Sequence, residues 1–187
     1  MQASQAIEAS LRALGDPERA EGAKRYIKSE LAFFGCTNAD VRRVVRDALK
    51  ASRPDRDALV DLAAALWDRG VFELRLAAVI ALTREVKKLS EADVALVERF
   101  LREARTWALV DPLSTDVMGP LAVRLGLGAT LDRWAEDADF WIRRASMLSL
   151  LRPLRAGAGD WDRFARYADA MLDEKEFFIR KAIGWIL

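Results

Sequence analysis

The hexapeptides FELRLA (residues 72–77), FWIRRA (residues 140–145) and FFIRKA (residues 177–182) repeat one pattern, Phe-x-Ile/Leu-Arg-x-Ala. The copies begin 68 and 37 residues apart, so one copy is expected near residue 106. There the sequence reads TWALVD (residues 106–111), in which a tryptophan and a carboxylate replace the consensus. A fixed period of this length is typical of stacked helical hairpins.

The composition favours one ordered, all-α domain over residues 1–187. Hydrophobic residues make up 52% of the chain and charged residues 32%, and only five prolines and ten glycines interrupt it. Ala, Leu, Arg, Glu and Asp are abundant, which favours helix. The chain stops at GWIL (residues 184–187), where a solenoid usually has a polar cap. A truncated chain, or an edge that a partner covers, would explain this end.

Several function classes are excluded by the residues that the chain lacks. It contains no histidine, which excludes His-based acid–base chemistry, Ser-His-Asp triads and most zinc catalysis. Cys36 is alone, so we predict neither a disulfide framework nor a cysteine metal site, and we expect this thiol to be a small buried residue. No segment resembles a membrane span or a signal peptide. We therefore expect a cytoplasmic protein without a metal or another cofactor.

Helical periodicity runs along almost the whole chain and no strand pattern is visible. Asp16 with Pro17, Thr37 or Asn38, and Ser90 with Asp93 are expected to start helices. The predicted helices cover residues 6–14, 20–33, 39–51, 57–68, 72–88, 90–105, a segment that contains Trp107 and Pro112, 129–136, 140–154, 160–172 and 175 onward. Short loops between them predict a HEAT-like α-solenoid of antiparallel helix pairs with a concave face. The repeat arginines are expected to bond adjacent units: Arg75, Arg143 and Arg180.

The charge and tryptophan patterns allow more than one interpretation. The net charge is +1, but basic residues cluster at positions 42–56 and after residue 141. They form either solvated helix faces or a nucleic-acid surface. Trp67, Trp134 and Trp161 are expected in the core.

Four other residues form a candidate site. Trp107 and Asp111 are four residues apart and so share a helix face, Arg144 occupies an equivalent place in the next unit, and Trp185 lies in the last. Equivalent helices of a solenoid lie side by side, so these side chains would meet on the concave surface. Three alternatives stay open: Asp111 as an N-cap before Pro112, Arg144 as a surface residue, and both tryptophans as core.

These residues carry a resemblance to a known family. The specific motifs are Trp107-x-x-x-Asp111, WIRRA (residues 141–145) and FFIRKAIGW (residues 177–185), with weaker matches at AKRYIK (residues 23–28), FG (residues 34–35), RR (residues 42–43) and LW (residues 66–67). Over nearly its whole length the chain is similar to the AlkD-like HEAT-repeat DNA alkylation repair glycosylases. It departs from the family's pattern at Ala108-Leu109-Val110 and at Pro112.

The resemblance implies a function and a role for each site residue. The family removes cationic N3- and N7-alkylated purines, such as 3-methyladenine and 7-methylguanine, from duplex DNA in base excision repair, without a metal or base flipping. Its catalytic carboxylate falls on Asp111, its cleft tryptophans on Trp107 and Trp185, and its cleft arginine, which would hold a phosphate, on Arg144. Further DNA contacts are expected from Arg143, Trp141, Arg180, Lys181, Lys28 and Arg43.

The partner implied by the resemblance is alkylated duplex DNA, bound by a monomer. Two alternatives remain. One is a non-catalytic protein that binds distorted or branched DNA. The other is a protein-binding scaffold, which would leave Asp111 and Arg144 pointing apart.

Overall fold

The computed structural model describes residues 2–187, and the regular structure of these residues is helical. The all-α prediction is therefore confirmed. The chain divides into two compact units, the first ending at Leu89 and the second running from Ser90 to Leu187. The prediction of a single domain over residues 1–187 stays a prediction. Among the described residues, no helix combines the length and the apolar character that crossing a bilayer requires.

The described residues of the first unit form five helices. They are α1 (Gln2–Ala13), α2 (Pro17–Ile27), α3 (Asn38–Ser52), α4 (Arg56–Trp67) and α5 (Phe72–Arg84), followed by a 3-10 turn at Val86–Lys88. Asp16 caps α2 and Thr37 caps α3 in a capping box with Asp40, as the sequence predicts. A short loop lets α4 and α5 form a hairpin. Helix α5, which begins with the first repeat, is buried on most of its faces.

Helix α2 ends at Ile27, although the sequence predicts helix to residue 33. Lys28 takes a left-handed conformation that closes the helix. The next residues are irregular, and Ala32 forms an isolated β-bridge with Val71. The cause is a long-range interaction: the Glu73 carboxylate accepts hydrogen bonds from the backbone N–H groups of Phe34, Gly35 and Cys36 at 3.0, 2.7 and 3.2 Å. A propensity argument over residues 20–33 does not include this contact.

The second unit contains eight helices. They are α6 (Val94–Ala104), α7 (Trp107–Pro112), α8 (Gly119–Leu125), α9 (Gly128–Ala135), α10 (Phe140–Leu148), α11 (Leu151–Arg155), α12 (Trp161–Ala170) and α13 (Phe177–Ile186). A π-helical segment, Leu113–Met118, joins α7 to α8. Helix α10 carries the second repeat and packs against α6, α7, α9 and α13, so it is the centre of this unit.

The predicted helix over residues 140–154 is in fact two helices. Pro153 has no backbone N–H, and its ring excludes the carbonyl four residues earlier, which is that of Ser149. Ser149 also turns its hydroxyl back onto the Ala145 carbonyl, at 2.7 Å. The chain therefore turns after Leu148 and resumes as α11.

Three tryptophans predicted in the core have different outcomes. Trp67 and Trp134 are fully buried, which confirms the prediction. Trp161 is 51% exposed at the start of α12, with its ring centroid 5.3 Å from that of Phe164, so the core prediction is wrong there. Cys36 is half-buried and directs its thiol at the Leu11 carbonyl, and burial raises its pKa to about 11.

Charged groups also hold helices of the second unit together. The Glu98 carboxylate on α6 accepts from Arg102 of its own helix and from Arg133 and Trp134 of α9. Burial alone would raise the pKa of Glu98, but these hydrogen bonds outweigh burial and lower it to about 2. The repeat arginine Arg143 links α10 to the segment before α13 through a two-point ion pair with Glu174. Arg75, the repeat arginine of the first unit, donates to the Trp67 carbonyl.

We expect Glu73→Gln to lower the free energy of unfolding by about 2–3 kcal/mol, because the buried amide no longer offers a charged acceptor to the three backbone donors. Urea unfolding followed by circular dichroism measures this change. Glu21→Gln, at an exposed position on α2, is the control and should stay within about 0.5 kcal/mol of the parent. A Glu73→Gln variant as stable as the parent would show that Glu73 does not hold the loop.

Candidate active site

Helix α7 places Trp107 and Asp111 on one face. Thr106 caps the helix, and Leu109 and Val110 are buried on its other face, so the helix cannot rotate about its axis. Trp107 and Asp111 are one turn apart and both line the same pocket. Asp111 lies inside α7, which rules out the alternative that it is an N-cap before Pro112.

Pro112 leaves Asp111 directed at the pocket. Proline cannot donate to the preceding turn, and the chain adapts after it by forming the π-helical segment Leu113–Met118. Because the irregularity follows Asp111, the turn from Trp107 to Asp111 keeps its α-helical spacing.

Arg144, on α10, is held directly behind Asp111. Its Nε and one terminal nitrogen donate to the two oxygens of Asp111, each at 2.8 Å, in a bidentate ion pair. Its other terminal nitrogen donates to the Phe178 carbonyl on α13. The Arg144 side chain is 1% exposed and that of Asp111 is 14% exposed. One guanidinium thus links α7, α10 and α13.

This burial argues against the phosphate contact expected of Arg144. A phosphate contact needs an exposed guanidinium, whereas all three nitrogens of Arg144 donate within the protein. The alternative of a surface arginine is also wrong. The pairing with Asp111 argues against a scaffold in which these two side chains point apart.

Helix α13 forms the opposite wall of the pocket. Lys181, Gly184 and Trp185 are three and four residues apart, so they share one face of this helix. With Trp107 and Asp111 they line a pocket of about 540 Å³, within the usual range of small-ligand sites. Trp185 is 40% exposed, and the Arg155 guanidinium lies 5.7 Å from its ring centroid.

The Asp111 carboxylate can accept further hydrogen bonds in addition to those from Arg144. Each ionised carboxylate oxygen has two lone-pair sites, and Arg144 occupies one on each oxygen of Asp111. Arg144 does not use the second lone-pair site of either oxygen, and Asp111 borders the pocket. Asp111 can therefore accept a hydrogen bond from a ligand or a water, or stabilise a positive charge, without leaving Arg144.

The residues of this unit that were expected to contact DNA differ in their exposure and pairing. Lys181 is exposed at the pocket and Arg180 is exposed beside it on α13. Trp141 is buried, with its ring 4.8 Å from that of Phe178. The Arg143 guanidinium is engaged by Glu174 and by the carbonyls of Asp137 and Ala138. Burial and pairing argue against direct DNA contacts by Trp141 and Arg143.

Lys28 and Arg43 belong to the first unit, where both are exposed. Their expected DNA contacts stay predictions. Two members of the site were missed by the sequence argument, the Phe178 carbonyl and Gly184. The spacing of Gly184 from Lys181 and Trp185 was a usable signal for the glycine. No sequence pattern identifies a carbonyl acceptor.

A second pocket of the same unit, of about 310 Å³, is lined by residues that include Val123, Leu131 and Arg163. It contains none of the predicted site residues. Its charged members, Asp160 and Arg163, are paired with each other, and Arg163 also pairs with Asp132. The pocket at Asp111 is therefore the candidate active site.

Comparison with known proteins places this chain in a family. Residues 7–187 match the family model described as DNA alkylation repair enzyme, so the chain belongs to that family. A solved structure described as a predicted DNA alkylation repair enzyme from Enterococcus faecalis superposes with a TM-score of 0.82 at 22% identity. The alignment covers 92% of this chain and 81% of that one, which confirms the α-solenoid fold class. No curated protein matches the sequence.

We expect Asp111→Ala to lower the free energy of unfolding by about 3–5 kcal/mol, because it leaves the buried Arg144 guanidinium without its counter-charge. The double variant Asp111→Ala/Arg144→Met should recover much of this loss, because no uncompensated charge remains. Chemical denaturation of the single and double variants measures the coupling.

Glu103→Ala provides the control, because Glu103 pairs with Arg99 at 3.6 Å on the exposed face of α6. Its effect should stay within about 0.5–1 kcal/mol. Additive losses in the double variant would contradict the coupling between Asp111 and Arg144.

Proposed function

We propose that the chain is a DNA glycosylase that cleaves the N-glycosidic bond of cationic N3- and N7-alkylated purines in duplex DNA, as a step of base excision repair. The observation that carries the proposal is the Asp111 carboxylate, fixed by Arg144 at the border of a pocket that Trp107 and Trp185 also line. Membership of the DNA alkylation repair family supports the substrate class.

The residues of the chain suit this reaction. An alkylpurine that already carries a positive charge leaves without protonation, so a general acid is not required. The chain contains no histidine, and this substrate does not need one. Bond cleavage moves positive charge onto the deoxyribose. A fixed carboxylate stabilises that charge and can orient the attacking water, an effect worth roughly 10²–10³ in rate.

Arg144 acts as a positioning residue for Asp111. The bidentate contact sets the plane of the carboxylate, and burial prevents Arg144 from following the ligand. The carboxylate is then oriented before the substrate binds, which avoids reorganisation during the reaction. The Asp111–Arg144 pair is neutral overall, but one lone-pair site on each Asp111 oxygen is not used by Arg144.

Trp107, Trp185 and Lys181 are suited to bind the sugar and the phosphate next to the N-glycosidic bond. The faces of Trp107 and Trp185 favour a neighbouring cation and provide apolar contact for the sugar. The ammonium of Lys181 lies at the same pocket and is suited to a phosphate of the lesion strand. We infer that the lesion stays in or near the base stack, that a monomer acts without a metal, and that it does so in the cytoplasm.

Asp111→Asn should reduce release of 7-methylguanine and 3-methyladenine from methylated duplex DNA by at least roughly 10²-fold, because it removes the charge that stabilises the sugar cation. Freed bases are measured by chromatography after incubation with purified protein, and circular dichroism at the assay temperature confirms folding.

The matched control is Asp116→Asn, five residues further on, where the carboxylate pairs with the exposed Arg152. It should release bases at the parent rate. Release by Asp111→Asn at the parent rate would remove Asp111 from the reaction. A parent protein that binds DNA and releases no base would favour the non-catalytic DNA-binding alternative.

Lys181→Met should weaken duplex binding and reduce the slope of log K against log salt by about 1, as expected for the loss of one phosphate contact. Fluorescence anisotropy over a salt series measures the slope. Lys175→Met, at an exposed position before α13, should leave it unchanged. A slope that Lys181→Met leaves at the parent value would remove Lys181 from phosphate binding.

A further inference from the structure

Helix α13 contains a glycine that neither its backbone nor its packing explains. Gly184 has helical backbone angles and lies between the pocket residues Lys181 and Trp185. A Cβ atom added to Gly184 would meet no atom within 4 Å, so no neighbour requires a missing side chain. Glycine also weakens a helix relative to alanine. The fold therefore does not account for a glycine at this position.

At two other glycines of the chain, the structure explains why a side chain is absent. Gly35 has a φ of +82°, and a Cβ there would lie 2.0 Å from the Asp16 carbonyl oxygen. Gly119 would place a Cβ 2.7 Å from the Ser149 carbonyl oxygen. Gly184 differs from both, because the space beside it is the pocket that Asp111 borders.

We propose that Gly184 is a specificity-determining residue that leaves room for the sugar–phosphate backbone of the lesion nucleotide to approach α13 closely. The inference rests on the proposed function. Glycine is the residue that permits the closest approach of a ligand to a protein backbone. A sugar that lies over Gly184 has Asp111 on the facing helix and the tryptophan rings at its sides. Lys181, one turn earlier, presents an ammonium to the attached phosphate.

The proposal predicts a graded effect of side-chain size at this position. A methyl group at residue 184 fits without contact in the free protein, so it stabilises α13 and reduces only the room for the ligand. A leucine fills more of the same space and displaces the sugar from Asp111. Stability and ligand binding therefore change in opposite directions, which a purely structural role does not produce.

The experiment compares Gly184→Ala and Gly184→Leu with the same two changes at Gly22. Gly22 is also helical, and a Cβ there also meets nothing within 4 Å, but it lies on α2, which contributes nothing to this pocket. For each variant we would measure Tm, the Kd for a duplex that contains a tetrahydrofuran abasic analogue, and the rate of 7-methylguanine release.

Both alanine variants should keep or raise the parent Tm, by up to roughly 4 °C. Gly184→Leu should weaken binding to the analogue duplex and slow base release, each by at least roughly 10-fold, with a smaller loss for Gly184→Ala. Both Gly22 variants should bind and react as the parent does.

Two results would overturn the proposal. One is Gly184→Leu that binds the analogue duplex and releases base as the parent does. The other is an equal loss in Gly184→Leu and Gly22→Leu, which would assign the effect to the helices and not to the pocket. If the parent releases no base but Gly184→Leu alone loses duplex binding, the role of Gly184 stands and the glycosylase proposal fails.

Discussion

The bidentate ion pair between Arg144 and Asp111 is the contact on which the arrangement of the second unit depends. Transferring an arginine to a site where it is 1% exposed is costly unless each donor finds a partner. The chain provides those partners from two other helices, Asp111 on α7 and the Phe178 carbonyl on α13. Because one rigid guanidinium bonds to both helices, the two walls of the pocket are fixed with respect to each other. The carboxylate that borders the pocket is the same group that neutralises the buried charge, so packing and the proposed chemistry share one set of hydrogen bonds.

The sequence predicts the helices where local signals and long-range contacts agree. Capping residues such as Asp16 and Thr37 start their helices as expected, and the repeats begin α5, α10 and α13. The errors arise where a distant group competes with propensity. Residues 28–33 leave the helix. The chain directly after them is held by Glu73, about forty positions later, which binds the N–H groups of Phe34, Gly35 and Cys36. The break after Leu148 could be predicted from the local sequence, because Pro153 cannot donate a hydrogen bond to the carbonyl four residues earlier.

The sequence identifies Trp107, Asp111, Arg144 and Trp185 as candidate site residues, but it does not predict that Arg144 is buried. Spacing alone puts Trp107 and Asp111 on one face, and the repeats align Arg144 with them. Whether Arg144 points outward or inward depends on a packing arrangement that one sequence does not encode locally. Arg143, the adjacent residue, is only partly buried and pairs with Glu174, while Arg144 is enclosed. The prediction for Trp161 failed for the same reason. An apolar residue type predicts burial, but Trp161 stands at the start of a helix and is exposed.

The π-helical segment Leu113–Met118 also sets the phase of everything that follows it in the unit. A π-turn accommodates one residue more than an α-turn, so this segment takes up an extra position between Pro112 and Gly119 without turning α8 out of phase with α7. The phase matters because Gly119 lies against the Ser149 carbonyl, an approach that only a residue without a side chain can make. The loss of one position after Asp111 is therefore tolerated where the segment can return to an α-helix, whereas a side chain at Gly119 is not.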